Sequence, residues 1–142
     1  MKTIFITGAT SGIGKATAIL LAKQKNRIIL CGRNKSVLEE LKSDLSKETE
    51  VFTLCFDVRN SDEVFDAINS LPEDWKNIDV LINNAGNAHG LDSISEGNID
   101  DWNVMMDGNV KGLLYVSQPI IKLMKEKQNG QIINISSVAA RQ

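Results

Sequence analysis

The chain of 142 residues has little of what would direct it to several large classes of function. Its 16 Lys and Arg are balanced by 18 Asp and Glu, so it offers no basic excess for nucleic acid. Cys31 and Cys55, the two cysteines, lack the spacing of metal ligands, and we expect both to be buried, reduced thiols. No apolar run is long enough for a signal-peptide core or a membrane span. A single cytoplasmic domain is therefore the simplest prediction.

What the chain does contain is a regular alternation of strand-like and helix-like segments. The sequence predicts strands at residues 3–7, 27–31, 51–56, 79–83 and 131–136. It predicts helices at residues 13–25, 35–45, 61–70 and 99–127. The strands are near-continuous runs of Val, Ile, Leu and Phe, as in a parallel sheet that is covered on both faces. The alternation predicts one α/β domain over residues 1–142, with a doubly wound parallel sheet between two layers of helices.

The first strand leads into a turn with three glycines in the spacing G-x-x-x-G-x-G. We expect Gly8 to allow the tight turn, Gly12 to let the backbone approach a pyrophosphate, and Gly14 to let the next helix pack closely on the strand. The free N–H groups of that helix then face the phosphates. A Rossmann-type dinucleotide site is favoured over a merely glycine-rich turn. Its predicted cofactor-binding residues are Gly8, Ala9, Thr10, Ser11, Gly12, Ile13 and Gly14.

Polar side chains follow the next three strands, at the edge where open α/β sheets bind ligands. Arg33 stands where NAD-binding proteins usually carry an acid for the ribose hydroxyls, so it favours NADP over NAD, although a solvated arginine is the plain alternative. Asp57 suits either an acceptor for the adenine amino group or a helix or turn cap before Ser61. In Asn83-Asn84-Ala85-Gly86, small residues admit a ligand and the amides can fix neighbouring strands, but a simple turn has a similar composition.

Two further candidates lie late in the chain. Asn109 follows Gly108 within the longest helical pattern, where both residues lower helix stability, so a functional kink is predicted beside the alternative of an exposed asparagine. Ser136 and Ser137 end the fifth strand, at the level where a nicotinamide and a substrate should meet. Capping hydroxyls also occur at such strand ends.

Taken in order, these motifs resemble those of the short-chain dehydrogenase/reductase family. The matching stretches lie at residues 7–14, 57–58, 83–86, 109–112 and 130–137. The resemblance implies NAD(P) binding and hydride transfer between the nicotinamide and the carbonyl or secondary alcohol of a small molecule. It also implies a homo-oligomer, a tetramer or a dimer, that assembles partly through the long helix.

The resemblance also implies roles for individual residues. Asn83, Ala85 and Gly86 would line the adenosine and nicotinamide-ribose side of the cofactor, and the Asp57-Val58 pair belongs to the same site. The further roles concern catalysis: Asn109 would hold a water of a proton relay, and Ser137 would hydrogen-bond the substrate oxygen. Ser137 is preferred to Ser136 because the family's serine usually precedes a small hydrophobic residue, here Val138.

Within the family, residues 71–79 and the pair Asp101-Trp102 most resemble NADP-dependent 3-hydroxy acid dehydrogenases. Those members often carry two basic residues after the second strand, whereas here Asn34 follows Arg33. This departure weakens the expected preference for NADP and the assignment of the substrate.

The family's general acid/base is the tyrosine of a Tyr-x-x-x-Lys motif beyond the serine, and this chain ends at Gln142 before it. We therefore expect part of a longer oxidoreductase whose C-terminal strands are absent here, which leaves a sheet edge uncovered. A cofactor-sensing module without catalysis is the alternative. The only tyrosine, Tyr115, is expected to pack in the core or an interface, and the only histidine, His89, lies in a loop near the cleft.

Overall fold

Five parallel strands form one sheet in the order β3-β2-β1-β4-β5. The computed structural model describes residues 1–88, 90 and 92–141, so His89 lies outside the described residues. The strands are β1 Thr3–Ile6, β2 Arg27–Gly32, β3 Val51–Cys55, β4 Val80–Asn83 and β5 Gln131–Asn134. Chain order reverses between β1 and β4, which confirms the doubly wound topology and places the switch point beside the glycine turn.

Helices cover both faces of the sheet. They are α1 Gly12–Lys23, α2 Lys35–Leu45, α3 Ser61–Asn69, α4 Ile99–Met105 and α5 Gly112–Glu126. Buried side chains of α1 and α2 share one apolar cluster with alternate strand residues such as Ile4 and Ile28. Those of α3 and α5 share the second cluster, with Phe5 and Ile29. Neighbouring residues of a strand point to opposite faces, so each continuous apolar strand supplies both cores and the three-layer prediction is confirmed.

The predicted long helix is interrupted. A π-helical segment, Met106–Lys111, joins α4 to α5, where the sequence predicts a kink at Gly108 and Asn109. The wider turn is tolerated because glycine favours the helix weakly, and π-helical turns are often found at functional sites. The expectation of a local irregularity is therefore confirmed, and its form is an inserted π turn.

Three asparagines begin helices. Asn34, Asn60 and Asn98 accept hydrogen bonds from the backbone N–H groups of Val37, Glu63 and Asp100, respectively. Each bond satisfies one of the N–H groups that the first helical turn leaves unpaired. Asn60 therefore caps α3, whereas Asp57 caps the turn before that helix, because its Oδ1 accepts from the Arg59 N–H at 3.0 Å.

The margins of the sheet differ in burial. Every residue of β5 is exposed, and Ile132 and Ile133 each keep 38% of their surface accessible, as expected of an uncovered edge. Cys31 is buried as predicted, but Cys55 is exposed because it ends β3, the opposite edge strand. No helix within the described part of the chain is long and apolar enough to cross a membrane.

Candidate cofactor site and catalytic residues

The glycine turn after β1 has a backbone that only glycine adopts readily at two positions. Gly8 and Gly12 have φ values of +62° and +52°. A Cβ on Gly12 would meet nothing within 4 Å, so this backbone faces open space. A Cβ on Gly14 would collide with the Gly8 carbonyl and with the Asn84 side chain. The close approach that Gly14 permits is therefore to the turn itself and not to the body of the strand.

The N-terminus of α1 is available to an anion. Ser11 occupies the N-cap position, but its side chain makes no capping hydrogen bond to the residues that the structure describes, and the first turn contains no acid. Ser11, Gly12 and Ile13 are exposed, whereas Ala9 is fully buried and its N–H donates to the Cys31 carbonyl. Unpaired N–H groups beside an open backbone suit the pyrophosphate of a dinucleotide.

Thr7 and Asn84 lock this turn to the end of β4. The Thr7 hydroxyl oxygen accepts from the N–H groups of Asn84 at 3.0 Å and Ala85 at 2.9 Å. The Asn84 amide donates to the carbonyls of Thr7 at 3.2 Å and Gly8 at 3.1 Å. The sequence indicated that these asparagines fix neighbouring strands but assigned no role to Thr7. A hydroxyl residue that ends an apolar run directly before Gly8 is the signal that could have revealed it, and the structure shows Thr7 to be 2% exposed.

Asn83 points into the protein interior. It is 5% exposed, and its Nδ2 donates to Ser117 Oγ at 3.0 Å and to Asn134 Oδ1 at 2.9 Å. Its Oδ1 is buried and has no hydrogen-bond partner among the described residues. Asn83 thus ties β4 to α5 and β5, and its contact with a cofactor stays a prediction.

An open cleft lies where β2 ends. Its lining consists of Thr10, Arg33, Asn34, Lys35 and Ser36. The Asn34 Oδ1 accepts from Ser36 Oγ at 2.8 Å as well as from the Val37 N–H, so Asn34 shapes the start of α2. Arg33 is exposed, and the residues that line this cleft include no carboxylate, although the Arg33 charge also helps to lower the pKa of the nearby Asp57 carboxyl.

Asp57, directly beyond β3, is bound by its own loop. Arg59 donates to both carboxylate oxygens, at 2.7 Å from Nη2 to Oδ2 and 3.1 Å from Nε to each oxygen. These hydrogen bonds hold the pKa of the Asp57 carboxyl below its usual value, against partial burial, which raises it. Val58 packs against the start of α5, where a Cβ on Gly112 would lie 2.8 Å from Val58 Cγ2.

The Asn109 side chain forms hydrogen bonds with the loop after β4. Its Oδ1 accepts from the Asn87 N–H at 2.9 Å, and its Nδ2 donates to the Asn87 carbonyl at 2.7 Å. A Cβ on Gly86 would lie 2.6 Å from that Oδ1, so Gly86 makes room for the contact. This pairing uses one lone pair of Oδ1 and one hydrogen of Nδ2, so the exposed side chain keeps a second donor and a second acceptor for a water.

Ser137 lies beyond β5, on the same edge of the sheet. Its Oγ accepts from the Ala139 N–H at 3.2 Å and heads a short 3₁₀ helix, Val138–Arg141. Ser136 and Ser137 are both exposed, and no hydrogen bond joins Ser137 to Asn109 in the described coordinates. The structure therefore bonds the turn to Asn84 and bonds Asn109 to Asn87 in the same loop, and these hydrogen bonds do not include the serine.

Packing accounts for one further residue that the sequence singled out, Tyr115. Tyr115 is partly buried against the core cluster of α3 and α5, with its ring centroid 6.3 Å from that of Phe65, which confirms the packing role. Within residues 1–88, 90 and 92–141, no three His, Cys, Asp or Glu side chains form a group that could hold a metal ion.

A sequence model of the family described as short chain dehydrogenase matches residues 2–142. The chain belongs to this family. The matched residues include the glycine turn, the Asn83–Gly86 stretch and Asn109.

Individual relatives agree with this assignment. The chain is 39% identical over 136 residues to an NADP-dependent 3-hydroxy acid dehydrogenase of Escherichia coli, covering 96% of this chain and 54% of that protein. It is 42% identical over 144 residues to a Schizosaccharomyces pombe protein of the same name, covering 99% and 56%. A solved closed form of serine dehydrogenase complexed with NADP+ superposes with a TM-score of 0.91 at 37% identity, covering 99% of this chain and 56% of that chain. The chain spans about half the length of the curated relatives it matches.

Proposed function

We propose that the protein containing this chain is an NADP-dependent oxidoreductase that transfers hydride between the nicotinamide and the carbonyl or hydroxyl-bearing carbon of a small molecule. The observation that carries the cofactor choice is Arg33, exposed in an acid-free cleft beside the glycine turn. A guanidinium suits a 2′-phosphate, whereas an NAD site usually places an acid there. Relatives named as NADP-dependent dehydrogenases support this function over a cofactor-sensing module without catalysis.

The residues have a division of labour in this proposal. The turn backbone near Gly12 and the N-terminus of α1 hold the pyrophosphate, and Arg33 with Thr10 holds the 2′-phosphate. The bound nicotinamide supplies the hydride acceptor or donor. Ser137 orients the substrate oxygen and stabilises charge that develops on it. Asn109 holds the relay water at its π-helical segment, and its side chain bonds that segment to Asn87.

We further propose a 3-hydroxy acid, or the corresponding oxo acid, as the substrate class. The support is the printed name of the relatives at 39% and 42% identity, together with the neighbouring structure of a serine dehydrogenase. A cytoplasmic location is a prediction that goes with this assignment.

We also propose that the protein is a homo-oligomer. A row of exposed apolar side chains runs along the outer face from α4 to α5, formed by Ile99, Trp102, Met106, Val110, Leu114 and Ile121. An apolar row of this kind on a helix surface is typical of an interface between subunits. Leu114→Glu should lower the mass measured by sedimentation, whereas Lys122→Glu on the same helix should not.

The cofactor proposal is tested by a charge reversal in the full-length protein. Arg33→Asp should weaken NADP binding far more than NAD binding in a fluorescence titration, because only NADP carries the 2′-phosphate. Lys122→Asp is the matched control, since it makes the same charge change on α5, on the other face of the sheet. Equal losses for both dinucleotides would show that Arg33 does not read the phosphate.

A further inference from the structure

The Asp57 carboxylate is held in one orientation by Arg59. The guanidinium donates to both oxygens, and the Arg59 backbone N–H adds a fourth contact, 3.0 Å from Oδ1. A guanidinium that contacts both oxygens fixes the plane of a carboxylate as well as its position. The Asp57 backbone is also tied down, because its N–H donates to Glu63 Oε2 at 3.0 Å.

The fork leaves part of the carboxylate available. An ionised carboxylate has about four lone-pair sites, and the four contacts use only three hydrogens because the Arg59 Nε–H is shared between Oδ1 and Oδ2. The side chains of Asp57 and Arg59 remain 27% and 38% exposed, so neither is sealed in the interior. A hydrogen-bond donor can therefore approach Oδ2 from outside, along a direction that Arg59 determines.

The Arg59 side chain also lies close to the π-helical segment. Its Cγ lies 3.9 Å from where a Cβ of Gly108 would stand, so its stem passes the π-helical segment. The charged groups around the pair come from three elements: Arg33 after β2, Glu63 on α3 and Asp107 on the π-helical segment. Asp57 and Arg59 themselves lie in one loop, because Arg59 follows Asp57 by two positions.

We propose that Arg59 is a positioning residue that makes Asp57 selective for a purine with an amino group at position 6. This inference rests on the proposed dinucleotide function. An oriented carboxylate accepts from the adenine amino group, but it repels the carbonyl oxygen that hypoxanthine carries at the same position. Arg59 itself does not contact the base in this arrangement.

Removal of the fork has two consequences. The carboxylate gains rotational freedom, so the hydrogen bond to the amino group is formed less often. The carboxyl also loses the main group that lowers its pKa, while Arg33 remains as a weaker one. Because the ionised form binds the amino group, affinity for adenine should then fall at a higher pH than in the parent protein.

The test compares NADP with its hypoxanthine analogue by calorimetric titration of the full-length protein. The parent should prefer NADP, and Arg59→Gln should weaken NADP binding about tenfold with little change for the analogue. In the Arg59→Gln variant, the loss of NADP affinity on acidification should begin at a higher pH than in the parent. Arg59→Lys keeps the charge without the fork, so its selectivity should be intermediate, and this variant carries the test where the Gln variant does not fold. Lys122→Gln is the control for loss of a surface charge.

The outcomes separate this inference from the function beneath it. Equal affinity of the parent for both dinucleotides, or unchanged selectivity in both Arg59 variants, overturns the inference and leaves the NADP proposal intact. Failure of the folded parent to bind either dinucleotide overturns the NADP proposal, and the inference with it. A loss that is equal for the two dinucleotides assigns Arg59 a purely structural role and also overturns the inference.

Discussion

The side-chain amide of Asn109 pairs with the backbone of Asn87 in both directions, accepting its N–H at 2.9 Å and donating to its carbonyl at 2.7 Å. The pairing joins the π-helical segment to the loop that follows β4, although 22 positions separate the residues. Asn109 lies in the π-helical segment, so the pairing holds the loop after β4 against the irregular part of the helix.

Asn109→Ala should loosen this loop without unfolding the domain. Both groups of Asn87 can bond to water because Asn87 is exposed, so we expect a loss of only about 1 kcal/mol in stability. Hydrogen exchange at residues 86–88 should rise and kcat should fall. Asn103→Ala, at an exposed position on α4, is the control. Unchanged exchange at Asn87 would contradict a role for the pairing in solution.

Two glycines of the turn should separate stability from binding. Gly12→Ala places its Cβ in open space, so its main structural penalty is the left-handed backbone, about 1–2 kcal/mol. Gly14→Ala drives its Cβ into the Gly8 carbonyl. Such overpacking typically destabilises a fold by about 1–3 kcal/mol, and by more where the backbone must shift. Gly12→Ala should therefore retain most of the melting temperature and lose NADP affinity, whereas Gly14→Ala should melt markedly lower. The reverse order would refute this account of the turn.

Ser137→Ala should separate catalysis from cofactor binding. The hydroxyl caps a short 3₁₀ helix at an exposed margin, so the fold should tolerate its loss. In the full-length enzyme, kcat should fall by about a hundredfold, as on removal of one donor to a developing oxyanion, while the Kd for NADP stays nearly constant. Ser136→Ala is the matched control. If the Ser136 variant loses activity and the Ser137 variant does not, the role belongs to Ser136.

Asp79 should make stability depend on pH in the acid range. Partial burial raises the pKa of this carboxyl, but hydrogen bonds from Lys127 Nζ at 2.9 Å and the Thr3 N–H at 2.8 Å outweigh that effect and lower it. A carboxyl whose pKa is lowered by folding stabilises the folded state at pH values above its pKa in the unfolded chain, which is about 3.9 for Asp. That stabilisation is lost as the pH falls through the pKa of the folded state.

The melting temperature of Asp79→Asn should therefore lie below that of the parent at pH 7, and the difference should narrow at pH 3. Asp44→Asn is the control because Asp44 pairs with Lys47 at an exposed site on α2, where an ion pair contributes little. An equal difference at both pH values would show that the ionised form of Asp79 is not what stabilises the fold.

Several features of the site were predictable because they depend on local chain properties. Continuous apolar runs of strand length predict a sheet covered on both sides, and parallel strands necessarily bring their carboxyl ends to one edge. The sequence therefore predicts that Arg33 and the glycine turn lie at the same edge of the sheet. The irregularity at Gly108 was predictable for a similar reason, since poor helix formers occupy adjacent positions.

Other features depended on distances that no local pattern encodes. The burial of Asn83 and its bonds to Ser117 and Asn134 follow from the packing of α5 against β4 and from the pairing of β4 with β5. Cys55 lies in an apolar run but is exposed, because β3 happens to be an edge strand. The sequence left Asp57 as either an adenine acceptor or a cap, and its fork with Arg59 depends on the backbone turn beyond β3.

The sequence by itself determined the order of the elements, the doubly wound sheet and the position of the phosphate turn, because hydrophobic period and glycine spacing act over a few neighbouring residues. Only the tertiary structure decided which polar groups meet: Asn109 with Asn87, and Thr7 with Asn84. A hydrogen bond forms only when donor and acceptor come within about 3 Å in the right direction, and the packing of distant segments sets that distance.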